Sequence, residues 1–155
     1  IQGYCFGVGL EFSLACDFRI VTKCAQLSLP EMKIGMIPGS GGSVRLARMI
    51  GLSRVKDMIM RGKRISGEEA FNWGLASELV EKDKLEVTIS KLVDELCSVS
   101  PLAQRAIKTV LNTSQDAPLH VAIELEGETY GRLRSSDDFN EGVKSFVEKR
   151  KPNFR

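Results

Sequence analysis

The sequence predicts an α/β protein in two parts: strands interleaved with short helices over residues 1–80, then an all-helical remainder over residues 81–155. Three observations carry this expectation. Short runs with β-branched or apolar residues, bounded by Gly, Pro or polar clusters, recur at residues 1–4, 18–21, 26–29 and 76–80. From Asp83 onward the apolar residues fall at helical spacing, and Pro101 and Pro118 stand where first-turn prolines belong. Between the early strands, Gly7-Val8-Gly9-Leu10-Glu11 followed by Phe12-Ser13-Leu14-Ala15-Cys16 reads as a glycine-rich turn opening a helix.

In chain order, Ile1 to Tyr4 end a strand that feeds the Gly7 turn, and a short helix follows from Val8 to about Cys16. Phe18-Arg19-Ile20-Val21 alternate as a strand, and residues 26–29 form the next. Residues 33–42 hold two glycine-bounded turns and Pro38, so they are expected as a loop. Val44, Leu46, Ala47 and Ile50 give residues 43–50 a helical face that Gly51 ends. Ser53 is placed to cap a helix over 54–60, with Gly62 as its stop. Ser66-Gly67-Glu68-Glu69 is a capped start for a helix through Trp73, closed by Gly74. A last strand covers 76–80, and helices cover 83–99, 101 to about 112, 118–133 and 137–150. In the second of these, Leu102, Ala103, Ala106, Ile107, Val110 and Leu111 make a wide apolar stripe.

Composition narrows the function classes. A chain of 155 residues with 43% hydrophobic and 27% charged residues suffices for one globular domain with a substantial core. A net charge of +2 does not imply a nucleic-acid partner. The longest apolar runs are too short to cross a bilayer, so no membrane association is expected. Cys5, Cys16, Cys24 and Cys97 show no C-x-x-C spacing, and His120 is remote from all of them in sequence, so neither a zinc site nor any other metal is expected. Buried or half-buried free thiols in a reducing compartment fit better, cytoplasm or mitochondrial matrix, although a targeting segment upstream would be invisible here. Gly39-Ser40-Gly41-Gly42 lacks the following Lys-Ser/Thr of a phosphate loop. Gly7-x-Gly9 lacks the third glycine of a dinucleotide fingerprint, and Glu11 would repel a pyrophosphate.

The chemistry centres on the Gly7 turn. The first turn of a helix leaves backbone N–H groups without internal partners at the positive end of the dipole. Negative charge that develops on an oxygen is stabilised there. Glu11 follows Val8 by three positions and so projects over roughly the same face as the Val8 amide. An anion-stabilising amide beside a carboxylate suits enolate chemistry. Glu31 follows the apolar strand 25–29 at a turn, where catalytic groups are often carried. Taken singly, Glu11 is more simply a first-turn acid answering the helix dipole, and Glu31 a solvated turn residue.

Further motifs tip that balance. Ile1-Gln2-Gly3-Tyr4-Cys5-Phe6-Gly7-Val8-Gly9-Leu10-Glu11, Ala15-Cys16-Asp17-Phe18-Arg19, Pro30-Glu31 through Gly42, Arg45-Leu46, and the terminal Phe146-Val147-Glu148-Lys149-Arg150-Lys151-Pro152-Asn153-Phe154 resemble, in this order, the enoyl-CoA hydratase/isomerase (crotonase) family. The resemblance implies a β-β-α spiral core, here without its N-terminal part, followed by a helical region that mediates trimerisation, often as a dimer of trimers. It implies a hydro-lyase that adds water to a 2-enoyl-CoA thioester, CoA belonging to the substrate and no separate cofactor being required.

Val8 would give one oxyanion-hole amide; the family usually has Gly there, but the donor is backbone. Glu11 and Glu31 match the two glutamates of hydratase members, where two carboxyl groups around one water accept and donate protons. Gly7, Pro38 and Gly39 would line the acyl pocket. Tyr130, Phe146 and Lys149 match positions near the adenine end of CoA, often on a neighbouring subunit. The alternatives left open are isomerisation, a methylglutaconyl- or diene-type hydration, and a non-catalytic CoA-binding assembly subunit. The first strands and the second oxyanion amide are expected on an N-terminal segment of the same polypeptide.

Overall fold

The computed structural model describes residues 1–154. Among these residues, five short strands alternate with four α-helices, and four further helices follow: β1 (Tyr4–Phe6), α1 (Val8–Leu14), β2 (Ile20–Thr22), β3 (Gln26–Ser28), α2 (Gly42–Ile50), α3 (Leu52–Met60), β4 (Ile65–Ser66), α4 (Gly67–Asn72), β5 (Glu78–Val80), α5 (Leu85–Cys97), α6 (Pro101–Ser114), α7 (Leu119–Leu133) and α8 (Asp137–Val147). Single 3-10 turns occupy Glu31–Ile34 and Lys82–Lys84. The chain forms two compact units, Ile1–Ile89 and Ser90–Arg155, divided within α5.

In the first unit, β1 pairs parallel with β3, β3 pairs antiparallel with β4, and β2 pairs parallel with β5. The helices shield one continuous core that includes Leu10, Leu14, Val21, Leu27, Leu46 and Met58. β4 has no counterpart in the sequence reading. It is two residues long, and its strand character comes from pairing Gln26 with Ser66 and Leu27 with Ile65 rather than from local propensity.

Helix boundaries follow local chemistry where a side chain supplies the cap. Ser66 accepts from the Glu69 amide at 3.0 Å, and Glu69 accepts from the Ser66 amide at 2.9 Å, closing the capping box. The Ser53 cap is a misreading. Gly51, at φ 82° and ψ 156°, ends α2 and caps α3 together, with no side-chain bond, because the two helices meet at one residue. The expected loop over 33–42 is shortened at both ends, since a 3-10 turn runs through Ile34 and Gly42 already opens α2. The expected strands shift to Tyr4–Phe6, Ile20–Thr22 and Glu78–Val80, where ladder partners exist.

In the second unit α6 packs on α7. Ser100 caps α6 by accepting from the Ala103 amide at 3.0 Å, and its hydroxyl donates to Asp138 at the start of α8. α8 stops at Val147, short of residue 150. Lys149, at φ 53°, is the only non-glycine residue with positive φ among those described. The Lys149 amide donates to Phe146 and the Arg150 amide to Ser145, a C-terminal cap in which lysine takes the usual glycine place at a cost of about 1–2 kcal/mol.

Beyond that cap, Arg150 donates to both Glu141 oxygens at 2.6 and 2.9 Å, and the Asn153 amide adds a bond at 2.7 Å. The guanidinium and this amide push the Glu141 carboxyl down to about 2 from an ordinary 4.5. A lowered folded value means that the contact contributes fully above about pH 4.5 and is lost as pH falls through about 2. In carboxyl NMR titrations Glu141 is expected to stay ionised from about pH 6 to 3.5, where ordinary glutamates protonate. An ordinary glutamate titration would show that Arg150 does not clamp it.

No helix of the described residues is long and apolar enough to cross a membrane. All four cysteines are free, but only Cys5 is half-buried. Cys16, Cys24 and Cys97 are exposed, against the expectation of buried or half-buried thiols, because they lie at element ends and in a turn rather than on core-facing positions. Among the described residues no cluster of three or more His, Cys, Asp or Glu side chains is arranged to hold a metal ion.

Candidate active site

The site is built around the junction of β1 and α1. Gly7 stands between them at φ 53° and ψ −126°, and its amide donates to the Ser28 carbonyl at 3.0 Å. That bond ties the turn to β3 and leaves Val8 as the first residue of α1. The Val8 amide is thus one of those with no carbonyl a turn back to bond. The Val8 side chain is 70% exposed, so the substitution of valine for the usual glycine is accommodated outside the packed core.

Gly7 has a second reason to be glycine. A Cβ placed on it would lie 3.0 Å from Glu31 Oε1. The absence of a side chain therefore lets the Glu31 carboxyl rest against the turn that presents the Val8 amide. The other oxygen, Glu31 Oε2, is buried and has no hydrogen-bond partner among the described residues. Such orphaned acceptors are rare in folded proteins and mark places where a proton-bearing group belongs.

Glu11 sits one turn into α1 and is only 3% exposed. Its Oε1 accepts from the Ser40 amide at 2.8 Å and from the Gly42 amide at 2.9 Å. The loop that enters α2 thus closes over the carboxylate. A Cβ on Gly42 would lie 2.7 Å from Glu11 Cγ and 2.8 Å from Oε1, so glycine at 42 is what lets this amide reach the acid. Both glutamates consequently flank one turn, Glu31 at Gly7 and Glu11 on the first turns of the helix that Gly7 opens. Pro38 is buried and Gly39 exposed just before the loop residues that hold Glu11. Ser40 and Gly42 were not singled out by the sequence as site residues. Their only sequence signal is that they lie within the glycine-rich loop.

The residues expected near the adenine end of CoA lie in the second unit. Tyr130 and Phe146 line one apolar pocket of about 490 Å³, with Leu133, Phe139, Val143 and Phe154 among its walls. Lys149 is not among the residues lining it. Neither glutamate lines this pocket; Glu11 and Glu31 belong to the first unit, and Tyr130, Phe146 and Lys149 to the second.

The fold compares closely with solved structures. Over 98% of this chain and 59% of the other, it matches an enoyl-CoA hydratase from Bacillus anthracis with a TM-score of 0.95 and 38% identity. This defines the class as a crotonase-fold α/β protein. A sequence model of the enoyl-CoA hydratase/isomerase family matches residues 1–155, and the chain belongs to that family. Among curated relatives, a carnitinyl-CoA dehydratase of Salmonella typhi is 35% identical over 98% of this chain and 60% of its own length. A short-chain-enoyl-CoA hydratase of Clostridium acetobutylicum is 31% identical over 97% of this chain and 58% of its own length. The chain thus spans about 60% of the length of the curated relatives it matches.

Proposed function

We propose that the protein to which this chain belongs adds water to, or removes it from, the α,β double bond of an acyl-CoA thioester. The observation that carries this reading is the pair of carboxyl groups at one turn: Glu11 held by two loop amides, and Glu31 with one oxygen against Gly7 and the other buried and unpartnered. The names of the two relatives agree with it, since a hydratase and a dehydratase run the same chemistry in opposite directions.

In the hydration direction the thioester carbonyl gains negative charge as water attacks the β-carbon. The Val8 amide, at the positive end of α1, stabilises that oxygen, together with a second donor from outside this chain. Glu11 takes a proton from the attacking water, and the tether from Ser40 and Gly42 fixes the direction in which it does so. Glu31 delivers the proton to the α-carbon. Gly7, Pro38 and Gly39 form part of the acyl pocket wall. Tyr130 and Phe146 pack the adenine, and Lys149 meets phosphate; the strained backbone at Lys149, where glycine would be easier, supports a role for its side chain. No metal or redox cofactor enters the scheme. Assembly as a trimer or dimer of trimers is part of the same reading, supported by the apolar side chains that the second unit leaves exposed, including Leu111, Leu119 and Ile123.

The test is hydration of crotonyl-CoA by the full-length gene product, followed as loss of the enoyl-thioester absorbance. Incorporation of solvent ¹⁸O at the β-carbon is measured alongside. Turnover with label at that carbon is the expected result. A shifted double bond without incorporated oxygen would instead identify an isomerase. CoA binding without turnover on straight-chain, branched or carnitine-type acyl groups would identify a non-catalytic subunit.

A further inference from the structure

The geometry points to Arg45 as a positioning residue for Glu11, acting through the backbone of the loop at residues 40–42. This inference rests on Glu11 being the group that activates water.

Glu11 does not select its own orientation. It is set by two amides, and each amide is as well placed as the peptide that bears it. The Gly42 amide belongs to the same peptide unit as the Gly41 carbonyl, and that carbonyl accepts from the Arg45 backbone N–H at 3.0 Å. The next peptide back joins the Ser40 carbonyl to the Gly41 amide, and its carbonyl accepts from Arg45 Nη1 at 2.8 Å. Residue 45 therefore meets two successive peptides on their carbonyl side, the Gly41 carbonyl through the helical backbone bond that any residue there would make and the Ser40 carbonyl through the guanidinium alone. Amides on either side of the gripped Ser40–Gly41 peptide, those of Ser40 and Gly42, point to Glu11 Oε1.

Two details separate this from an incidental surface contact. A Cβ on Gly41 would fall 2.2 Å from Arg45 Nη1 and 3.0 Å from Cζ, so the guanidinium occupies the space that a side chain at 41 would fill. Gly41 also lies at φ 88°, a conformation that glycine alone adopts freely. Moreover, Arg45 makes no ion pair among the described residues, so its charge is directed at the Ser40 carbonyl rather than at a carboxylate. A charged donor strengthens a hydrogen bond to a carbonyl. Because it sits on the first turns of α2, whose buried Leu46 and Ile50 anchor that helix in the core, the clamp has a rigid base.

Positioning errors of an ångström at a reacting group cost about 10²-fold in rate. Arg45→Met keeps most of the stem and the backbone bond to Gly41 and removes only the guanidinium donor to the Ser40 carbonyl. In the full-length gene product with crotonyl-CoA it is expected to lower kcat about 10- to 100-fold. KM should stay within about two-fold, since the loss falls on the transition state. Arg45→Lys, which retains a charged donor, should recover part of kcat. The deciding readout is the pair with Glu11→Gln. If Arg45 acts through Glu11, the double variant is no slower than Glu11→Gln alone.

Losses that multiply in the double variant, a loss confined to KM, or an unchanged Arg45→Met would each overturn the inference. So would rate losses in Arg45→Met and Arg45→Lys that are equal and follow a lowered thermal midpoint. Glu11→Gln at the unaltered rate would remove the underlying role of Glu11 and the inference with it. A slow Glu11→Gln beside a normal Arg45→Met would leave that role standing and remove Arg45 alone.

Discussion

Glu31→Gln is expected to lower kcat for hydration of crotonyl-CoA by about 10²–10⁴-fold, the range general acid–base catalysis supplies. The physical ground is the environment of its carboxyl. One oxygen lies against Gly7 at the 3.0 Å that a Cβ there would meet, and the other is buried without a partner. Glutamine is isosteric, so Gly7 still admits it and the turn is undisturbed. It carries no exchangeable acid proton to give to carbon, so the chemical step should suffer and binding should not. The check is steady-state kinetics with a thermal midpoint on the same samples. A kcat within about three-fold of the parent, in a folded protein, would place the α-carbon acid elsewhere.

Gly67→Ala is expected to be the most destabilising single-methyl addition in the first unit. Gly67 opens α4 directly after the capping Ser66, and its amide donates to the Ala25 carbonyl at 2.9 Å. A Cβ at this position would stand 2.1 Å from the Thr22 carbonyl oxygen and 3.1 Å from its carbon. Those are backbone atoms of β2, a strand paired to β5, and Thr22 is fully buried. No side chain can swing aside to relieve the contact, so α4 or β2 must move. Overpacking of this kind costs typically about 1–3 kcal/mol, and a clash with backbone belongs at the upper end. For a chain of this size that corresponds to a fall of about 10 °C in thermal midpoint, read by calorimetry or circular dichroism. A midpoint within about 1 °C of the parent would mean that α4 does not press on the Thr22 carbonyl.

Gly67 also shows where sequence reading stops. Its neighbours Ser66 and Glu69 announce a helix start, because a capping box is a contact among four consecutive residues, and the structure forms both of its bonds. Nothing local states that the residue inside the box touches a strand more than forty positions earlier. β4 is the same case: Ile65 and Ser66 are a strand only because β3 lies beside them. The shifted ends of β1, β2 and β5 follow from ladder pairing in the same way.

What the amino-acid sequence determined by itself is whatever short-range chemistry dictates. That covers the alternation of brief strands and helices, the helical second half, the glycine turn before α1, and the presence of two glutamates in motifs of the enoyl-CoA hydratase/isomerase family. Tertiary structure alone decided how those parts act on each other. It brought the Ser40 and Gly42 amides onto a carboxylate about thirty residues away, set Arg45 behind them, and laid Glu31 into the space that Gly7 leaves open. It also placed Lys149 in a left-handed cap that no residue preference would choose. The reason is common to all of these. Periodicity and capping act over a few residues, whereas the approach of distant segments is fixed by how the core packs. Spacing along the chain carries no record of that distance.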